Sequence, residues 1–203
     1  AYYSEKDLPD GKCPDHGTIP ERVEEENYFF RLSDYQEKLL DYFEKHPDFV
    51  LPATRFNEAK SFIRQGLEDI SISRASLEWG IPIPWDTTQV VYVWVDALLN
   101  YITALKYAGP EDMTAKFWPA NYHMMAKDIL KFHAIIWPAL LMASGYELPR
   151  HLFIHGYLLM GGQKMSKTRG NVLDPFGVIS LEGFETRYNS ELANELGNLV
   201  SRT

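Results

Sequence analysis

The spacing of apolar residues predicts two helices in the first third of the chain. Leucine and phenylalanine recur at helical intervals between Ser33 and Glu44, and Pro47 follows as a stop signal. Because Gln36 stands three residues after Ser33, we expect a capping box at the start of this helix. A second, shorter helix is predicted over residues 57–65, where Gly66 is placed to end it.

Three patterns in the next segment predict a strand, a break and a strand–helix junction. Residues 70–74 alternate apolar and polar as a half-buried strand does, whereas two prolines within residues 79–86 predict irregular structure. Residues 90–95 are β-branched and aromatic, which is typical of a strand buried on both faces of a parallel sheet. Asp96 is then placed to cap a helix that continues to Leu105.

The remaining pattern completes an alternation of helices and strands. A helix is predicted from about residue 128 to residue 143, stopped by Gly145, and a β-like run covers residues 151–160. Leucines return at helical spacing after Leu181. Together these elements predict an α/β fold with a mostly parallel sheet.

Composition places the chain among globular proteins of the cytoplasm. Its 203 residues are 45% hydrophobic and 14% aromatic, enough for the core of one domain or slightly more. The longest apolar stretch, residues 134–145, is too short to span a bilayer, and the charged N-terminus does not resemble a signal peptide. A single cysteine excludes an intrachain disulfide framework, which agrees with a reducing compartment.

The net charge limits how the chain can contact nucleic acid. With 20 basic against 28 acidic residues, the formal charge is −8, so binding by overall charge is excluded and any RNA contact must be local. Two groups of cations could form such local patches. They are Arg150, Lys164, Lys167 and Arg169 in one group and Lys127 with Lys131 in the other.

Residues 161–171, here called the lysine loop, have the composition of a phosphate-binding loop. Lys164, Lys167 and Arg169 lie among small residues and three glycines, directly after the β-like run. Glycines let the backbone approach an anion closely, and flexible lysines can follow charge as it moves during a reaction. The alternative is an ordinary exposed basic loop.

Two sets of side chains at helical spacing are candidates for a pocket. Ligands of open α/β sheets bind beyond the carboxyl ends of the strands, where the first set would lie. A core stripe, and for the histidine a satisfied core histidine, would show the same spacing. The sets are Trp94, Ala97 and Tyr101, and Ile129, His133 and Trp137.

A pair near the N-terminus has the spacing of metal ligands. Cys13 and His16 form a C-x-x-H sequence, which can place a thiolate and an imidazole on one metal ion. Two ligands do not complete a structural site, so a solvated turn remains the alternative.

Five sequence segments resemble a known enzyme family. KMSKT followed by RGN, at residues 164–171, resembles the KMSKS signature of class I aminoacyl-tRNA synthetases. Four further segments are similar to the methionyl-tRNA synthetases of that class, in the order in which the family has them. They are WGIPIPWD at residues 79–86, VYVWVDALLNY at residues 91–101, KDILKFH at residues 127–133 and GNVLDP at residues 170–175.

The resemblance implies an activity and assigns roles to residues. Members of the family activate methionine with Mg·ATP and pass it to tRNA(Met), so ATP, Mg²⁺, methionine and tRNA(Met) are the expected cofactors and partners, with no membrane. Lys164 and Lys167 match the catalytic lysines. ATP contacts match Lys164, Met165, Ser166, Lys167 and Asp128, and methionine contacts match Trp94, Ala97, Tyr101, Ile129, His133 and Trp137.

The resemblance also divides the chain into three parts. Residues 1–68 match part of an inserted, zinc-knuckle-bearing domain, residues 69–180 the C-terminal half of a Rossmann-like catalytic domain, and residues 181–203 the start of a helical anticodon-binding domain. Cys13 and His16 match half of the knuckle, so structural Zn²⁺ would need further ligands upstream.

Three departures from the family pattern stand out. Ala126 occupies a position where the family usually has glycine, and a helix expected after Ser180 is missing. The HIGH-type motif, which grips the other side of ATP in class I enzymes, does not occur in these residues. Two rivals therefore stay open: another class I synthetase for an aliphatic amino acid, and a non-catalytic RNA-binding or scaffold paralogue.

Overall fold

A computed structural model describes residues 8, 11–12, 18–19, 24–160, 162–165 and 170–172. By its internal contacts the chain divides into two compact units, Ala1–Ile154 and His155–Thr203. In the part of the chain that the structure describes, no helix is long and apolar enough to cross a bilayer.

The described part of the first unit opens with two short strands and two helices. Strand β1 is Phe29–Phe30, helix α1 is Gln36–Lys45, β2 is Val50–Leu51 and α2 is Ala53–Arg64. Helix α2 begins four residues earlier than predicted. As predicted, it stops just before Gly66, whose φ of 104° only glycine adopts readily.

The predicted capping box does not form. A 3₁₀ turn, Leu32–Tyr35, precedes α1, and the Ser33 hydroxyl donates instead to Asp69 Oδ1 at 2.6 Å. Gln36 Oε1 accepts from the backbone N–H of Leu67 at 2.8 Å. The side chains of Ser33 and Gln36 thus form hydrogen bonds with the segment after α2. These partners, 36 and 31 residues away, replace the local backbone N–H groups of a capping box.

An antiparallel region follows and corrects two predictions. The predicted strand over residues 70–74 exists as two short strands, β3 (Ile70–Ser71), which pairs with β1, and β4 (Ser73–Arg74). Strands β5 (Pro82–Ile83) and β6 (Asp86–Val91) complete a three-stranded antiparallel sheet in the order β4-β6-β5. Regular structure therefore exists within residues 79–86.

The prediction that residues 90–95 form a strand of a parallel sheet is wrong. The first two of these residues end β6, and helix α3, Val93–Tyr107, already begins at the fourth. Tyr92 takes the N-cap position, and Asp96 lies exposed in the first turn without capping the helix. Val93 is 64% exposed, so the apolar run did not reflect continuous burial.

In the second half of this unit, the segment predicted as one helix from about residue 128 to residue 143 contains three types of helical structure. After α4 (Thr114–Phe117) and β7 (Tyr122–Ala126), the chain makes a 3₁₀ turn at Lys127–Ile129 and a π-helical segment at Phe132–Ile136. Helix α5 is Trp137–Ser144, and Gly145 ends it in the left-handed conformation, as predicted. Pro138 lacks the N–H that would bond the carbonyl of Ala134, which accounts for the widened turn before it.

A small parallel sheet confirms the α/β class. Strand β8 is His151–His155, and the order of the sheet is β2-β8-β7. Strands β2 and β8 run parallel, with Val50 opposite Leu152 and Leu51 opposite Phe153. Apolar side chains of this sheet and of the helices form one core cluster, whose fully buried large members include Leu39, Phe43, Phe49, Ile63, Leu98, Ile135, Trp137 and Leu152.

The second unit contains a β-hairpin in its described part. The β-like run at residues 151–160 is interrupted at residues 156–158, after which β9 (Leu159–Met160) pairs with β10 (Gln163–Lys164) in antiparallel register. Gly162 has a φ of 74°, as the tight turn between the two strands requires. Residues beyond 172 lie outside the described part of the chain.

Candidate active site

Helix α3 brings one of the two predicted side-chain sets to one face. Trp94, Ala97 and Tyr101 follow each other at three and four residues, the spacing that places side chains on one side of a helix. All three are partly buried, and Tyr101 packs against the main core cluster. The three side chains therefore share one side of α3. Tyr101 contacts members of the second set directly.

Tyr101 and His133 form the central hydrogen bond of the site. The Tyr101 hydroxyl lies 2.9 Å from His133 Nε2, and His133 Nδ1 lies 3.1 Å from the carbonyl oxygen of Ile129. Because a carbonyl oxygen can only accept, Nδ1 carries the imidazole proton. Nε2 is then the acceptor for the Tyr101 hydroxyl.

Burial keeps both partners of this bond uncharged. Desolvation lowers the pKa of His133, opposed in part by its bond to the Ile129 carbonyl, and desolvation raises the pKa of Tyr101. A neutral imidazole and a protonated phenol match the donor and acceptor roles assigned above. The hydroxyl proton is committed to His133, and the phenol oxygen keeps acceptor capacity.

The rings around Tyr101 form a compact cluster, here called the aromatic cluster. Its members besides Tyr101 are Trp118, His123, His133 and Trp137. The Tyr101 ring centroid lies 4.2 Å from that of His123 and 5.8 Å from those of His133 and Trp137. Trp118 adds an edge-on contact with Trp137 at 6.0 Å.

Two members of the aromatic cluster were missing from the sequence-based prediction. His123 alternates with exposed residues along β7, a pattern that indicates burial but not a neighbour. Trp118 lies outside regular structure and anchors its indole N–H on the carbonyl oxygen of Glu147 at 2.9 Å. Neither residue falls at helical spacing from the predicted set, so no sequence signal joined them to it.

Trp94 lies in a cleft outside the aromatic cluster, here called the second cleft. It stacks on Phe132 with centroids 3.9 Å apart and planes 17° apart. The cleft has a volume of about 250 Å³ and also contains Arg74 and Lys131. Arg74 is almost fully buried and lies over the ring of Tyr92, 3.9 Å from its centroid. The structure thus gathers Tyr101, Ile129, His133 and Trp137 by direct contact and places Trp94 beside the chain neighbour of His133.

Asp128 occupies an exposed turn between β7 and the π-helical segment. It lines a third cleft, with Lys131 and Glu58 among the charged residues there. Ala126, at the end of β7, has a φ of −77°, a backbone conformation open to any residue. Alanine therefore fits this backbone without strain.

The lysine loop is described in part. Lys164 is exposed on β10, with Nζ 3.8 Å from the ring centroid of Tyr157, and the Asn171 side-chain amide donates to its carbonyl oxygen at 3.2 Å. The N–H of Met165 donates to the carbonyl oxygen of Leu158 at 2.8 Å, which extends the hairpin. Ser166 and Lys167 lie outside the described residues.

No metal-binding cluster occurs within the described ranges. Among those residues there is no group of three or more His, Cys, Asp and Glu side chains that could hold a metal ion. Cys13 and His16 lie outside them, so the predicted C-x-x-H pair remains a sequence-based prediction.

The chain belongs to a class I tRNA synthetase family. The family sequence model described as "tRNA synthetases class I (M)" matches residues 1–181. This confirms the resemblance seen in the sequence, and it agrees with the α/β fold and its parallel sheet.

Within this family, two proteins similar to this chain are methionine–tRNA ligases. The chain is 50% identical to a methionine–tRNA ligase of Caldanaerobacter subterraneus and 48% identical to one of Rhizobium meliloti. Both alignments include the whole chain but only 36% and 45% of the relatives. They extend over 228 and 232 positions, more than the 203 residues present here, so the relatives contain segments that this chain lacks.

A solved structure shows the same similarity. The Mycobacterium tuberculosis methionyl-tRNA synthetase bound by methionyl-adenylate superposes with a TM-score of 0.78 at 42% identity. The alignment covers 98% of this chain and 45% of that one. The chain thus spans less than half the length of the relatives and the structure compared.

Proposed function

We propose that this protein is a methionine–tRNA ligase, which activates methionine with ATP and transfers it to tRNA(Met) in the cytoplasm. The observation that carries the proposal is the Tyr101–His133 hydrogen bond at 2.9 Å inside the aromatic cluster. It joins two residues predicted to contact methionine that lie 32 positions apart. The relatives named methionine–tRNA ligase support the same activity.

The aromatic cluster suits a thioether. A methionine side chain is flexible and polarizable, and its sulfur makes favourable contacts with ring edges. The Tyr101 hydroxyl donates its single proton to His133 Nε2, so it cannot also donate to the sulfur, which is itself only an acceptor; the bond instead fixes the ring against which the thioether would pack. Apolar shape alone separates near-isosteric side chains by only ~1–3 kcal/mol, so the favourable sulfur–ring contact would add discrimination against leucine.

Ile129 holds the pocket histidine in the required tautomer. Its carbonyl oxygen accepts the Nδ1 proton of His133 at 3.1 Å, which leaves Nε2 free of a proton and directed to Tyr101. Ala97 would supply a small wall on α3, and Trp94, with its Phe132 stack, would close the pocket from the second cleft. Trp137 is fully buried, so it would support the pocket from beneath.

The reaction needs no nucleophilic side chain. A carboxylate oxygen of methionine attacks the α-phosphorus of ATP, pyrophosphate leaves, and methionyl-adenylate forms. A ribose hydroxyl of the tRNA then attacks the acyl carbon and releases AMP. Lys164 and Lys167 would stabilise the charge that grows on the pyrophosphate, while Met165 and Ser166 would line the phosphates and Asp128 would lie on the adenylate side.

The metal ions of the proposal have different sources. Mg²⁺ would arrive on the phosphates of ATP, as is usual for this small cation, which prefers phosphate and water oxygens. Zn²⁺ would need both Cys13 and His16 together with two further ligands, because structural zinc is four-coordinate.

Exchange of pyrophosphate into ATP tests the activity. In the natural full-length protein we expect exchange that depends on methionine and not on leucine, isoleucine or valine. Exchange driven by one of these aliphatic amino acids would favour another class I synthetase, and no exchange with any amino acid would favour the non-catalytic paralogue.

The tyrosine–histidine pair is tested in the same assay. Tyr101→Phe removes one hydrogen bond, usually worth ~0.5–1.5 kcal/mol, so we expect the KM for methionine to rise about 2- to 12-fold while the protein melts cooperatively. His133→Ala should raise it at least as much. An unchanged methionine KM in both variants would return these residues to a purely structural role.

A further inference from the structure

His123 is the ring nearest to Tyr101 in the aromatic cluster. The two centroids are 4.2 Å apart with planes tilted by 52°, whereas His133 and Trp137 both lie 5.8 Å from Tyr101. The His123 ring also lies 5.9 Å from Trp118 and 6.4 Å from His133. It therefore packs directly against the tyrosine ring and also contacts the rings of Trp118 and His133.

Stability does not explain a histidine at this position. The residue is only 7% exposed, and its Nε2 is buried without a hydrogen-bond partner among the described residues. Burial of an unpaired polar atom costs roughly 1–3 kcal/mol, a cost that an apolar side chain would avoid. Desolvation, with the nearby His133, lowers the pKa of His123 to about 4, so the ring is neutral near pH 7.

Ring size offers a reason for the histidine. Imidazole is the smallest aromatic side-chain ring, and the separation from Tyr101 is already short for an aromatic contact. A larger ring would push Tyr101 aside, and a small aliphatic side chain would leave its ring without support. The direction of the Tyr101 hydroxyl depends on that ring, and the hydroxyl must reach His133 Nε2.

We propose that His123 is a positioning residue for methionine binding, which acts by fixing the ring of Tyr101 so that its hydroxyl meets His133. The inference rests on the proposed function, since it extends the methionine site by one residue. His123 itself contacts the tyrosine ring and not the reacting atoms.

The test uses two substitutions of opposite size in the natural full-length protein. We expect His123→Ala and His123→Phe each to raise the KM for methionine on the order of tenfold, with kcat and the KM for ATP changed less than twofold. The matched control is Met125→Ala, a buried residue two positions along the same strand. It should lower the melting temperature about as much as His123→Ala and leave the methionine KM unchanged.

A double-mutant cycle then shows whether His123 acts through the tyrosine hydroxyl. In a Tyr101→Phe background, His123→Ala and His123→Phe should add less than twofold to the methionine KM, because the hydroxyl they misplace is gone. Full additivity, or a normal methionine KM in both His123 variants that fold, would overturn the inference alone. If Tyr101→Phe and His133→Ala both leave the methionine KM unchanged, the proposed methionine site fails as well.

Discussion

The aromatic cluster and the hairpin that leads into the lysine loop differ in how they hold their candidate functional side chains. Tyr101, His133 and Trp137 lie in or against the core, and each is fixed by ring contacts. Lys164 stands exposed on a two-residue strand, with its Nζ over the ring of Tyr157. A pocket that discriminates by shape needs rigid walls, whereas a cation that follows a moving phosphate needs freedom. Substitutions in the cluster should therefore affect stability and binding together, and substitutions in the loop should affect catalysis alone.

The largest expected effect is on stability, at Trp137. This side chain is fully buried, so Trp137→Ala should lower the free energy of unfolding by ~3–5 kcal/mol through the cavity it leaves. Urea denaturation of the variant and of the natural protein measures this difference in unfolding free energy. Trp137→Phe, which keeps a ring next to Tyr101, is the control and should lose much less. A Trp137→Ala protein of normal stability with weakened methionine binding would break the comparison, because the residue would then serve the ligand alone.

The next largest effect is on the rate of activation, at Lys164. Loss of one preorganised group that stabilises transition-state charge costs ~2.7–4 kcal/mol, so Lys164→Ala should slow methionine activation about 10²- to 10³-fold. Its melting temperature should stay within a degree or two of the original. The matched control is Lys45→Ala, another exposed lysine, paired with Asp41 at 2.7 Å, which should change neither quantity. Pyrophosphate exchange and thermal melts together decide, and a clear loss of stability in Lys164→Ala would remove the contrast with the cluster.

The smallest of these effects appears as a pH dependence at His123. Its pKa falls from an ordinary 6.5 to about 4 in the folded protein, so the stability linked to its neutral form is complete above pH 6.5 and is lost as the pH falls toward 4. The full loss is at most ~3 kcal/mol. His123→Phe cannot titrate, so the difference in unfolding free energy between the two proteins should change between pH 7 and pH 4. A constant difference would show that the pKa of His123 is the same in the folded and the unfolded protein, and so that burial does not lower it.

The sequence alone determined what lies close along the chain. Helical periodicity placed Trp94, Ala97 and Tyr101 on one helix, and the glycine stop signals ended two helices where expected. The string around Lys164 indicated the class of synthetase and four further segments indicated the family, which the family comparison confirmed. These features follow from neighbours within a turn of helix or within a loop, and such short-range constraints are written directly in the order of residues.

Only the tertiary structure decided which distant groups meet. The Ser33 hydroxyl donates to Asp69 instead of capping the helix, because the fold brings this acceptor within hydrogen-bond distance. The apolar run that ends β6 continues into α3, since a short apolar run does not distinguish a strand from a helix, and the first residue of α3, Val93, is 64% exposed. The Tyr101–His133 bond and the packing of His123 beside it join α3 to β7 and the π-helical segment, which lie more than 20 positions further along the chain than Tyr101. Their pairing depends on how the helices and β7 pack together, which local sequence patterns do not encode.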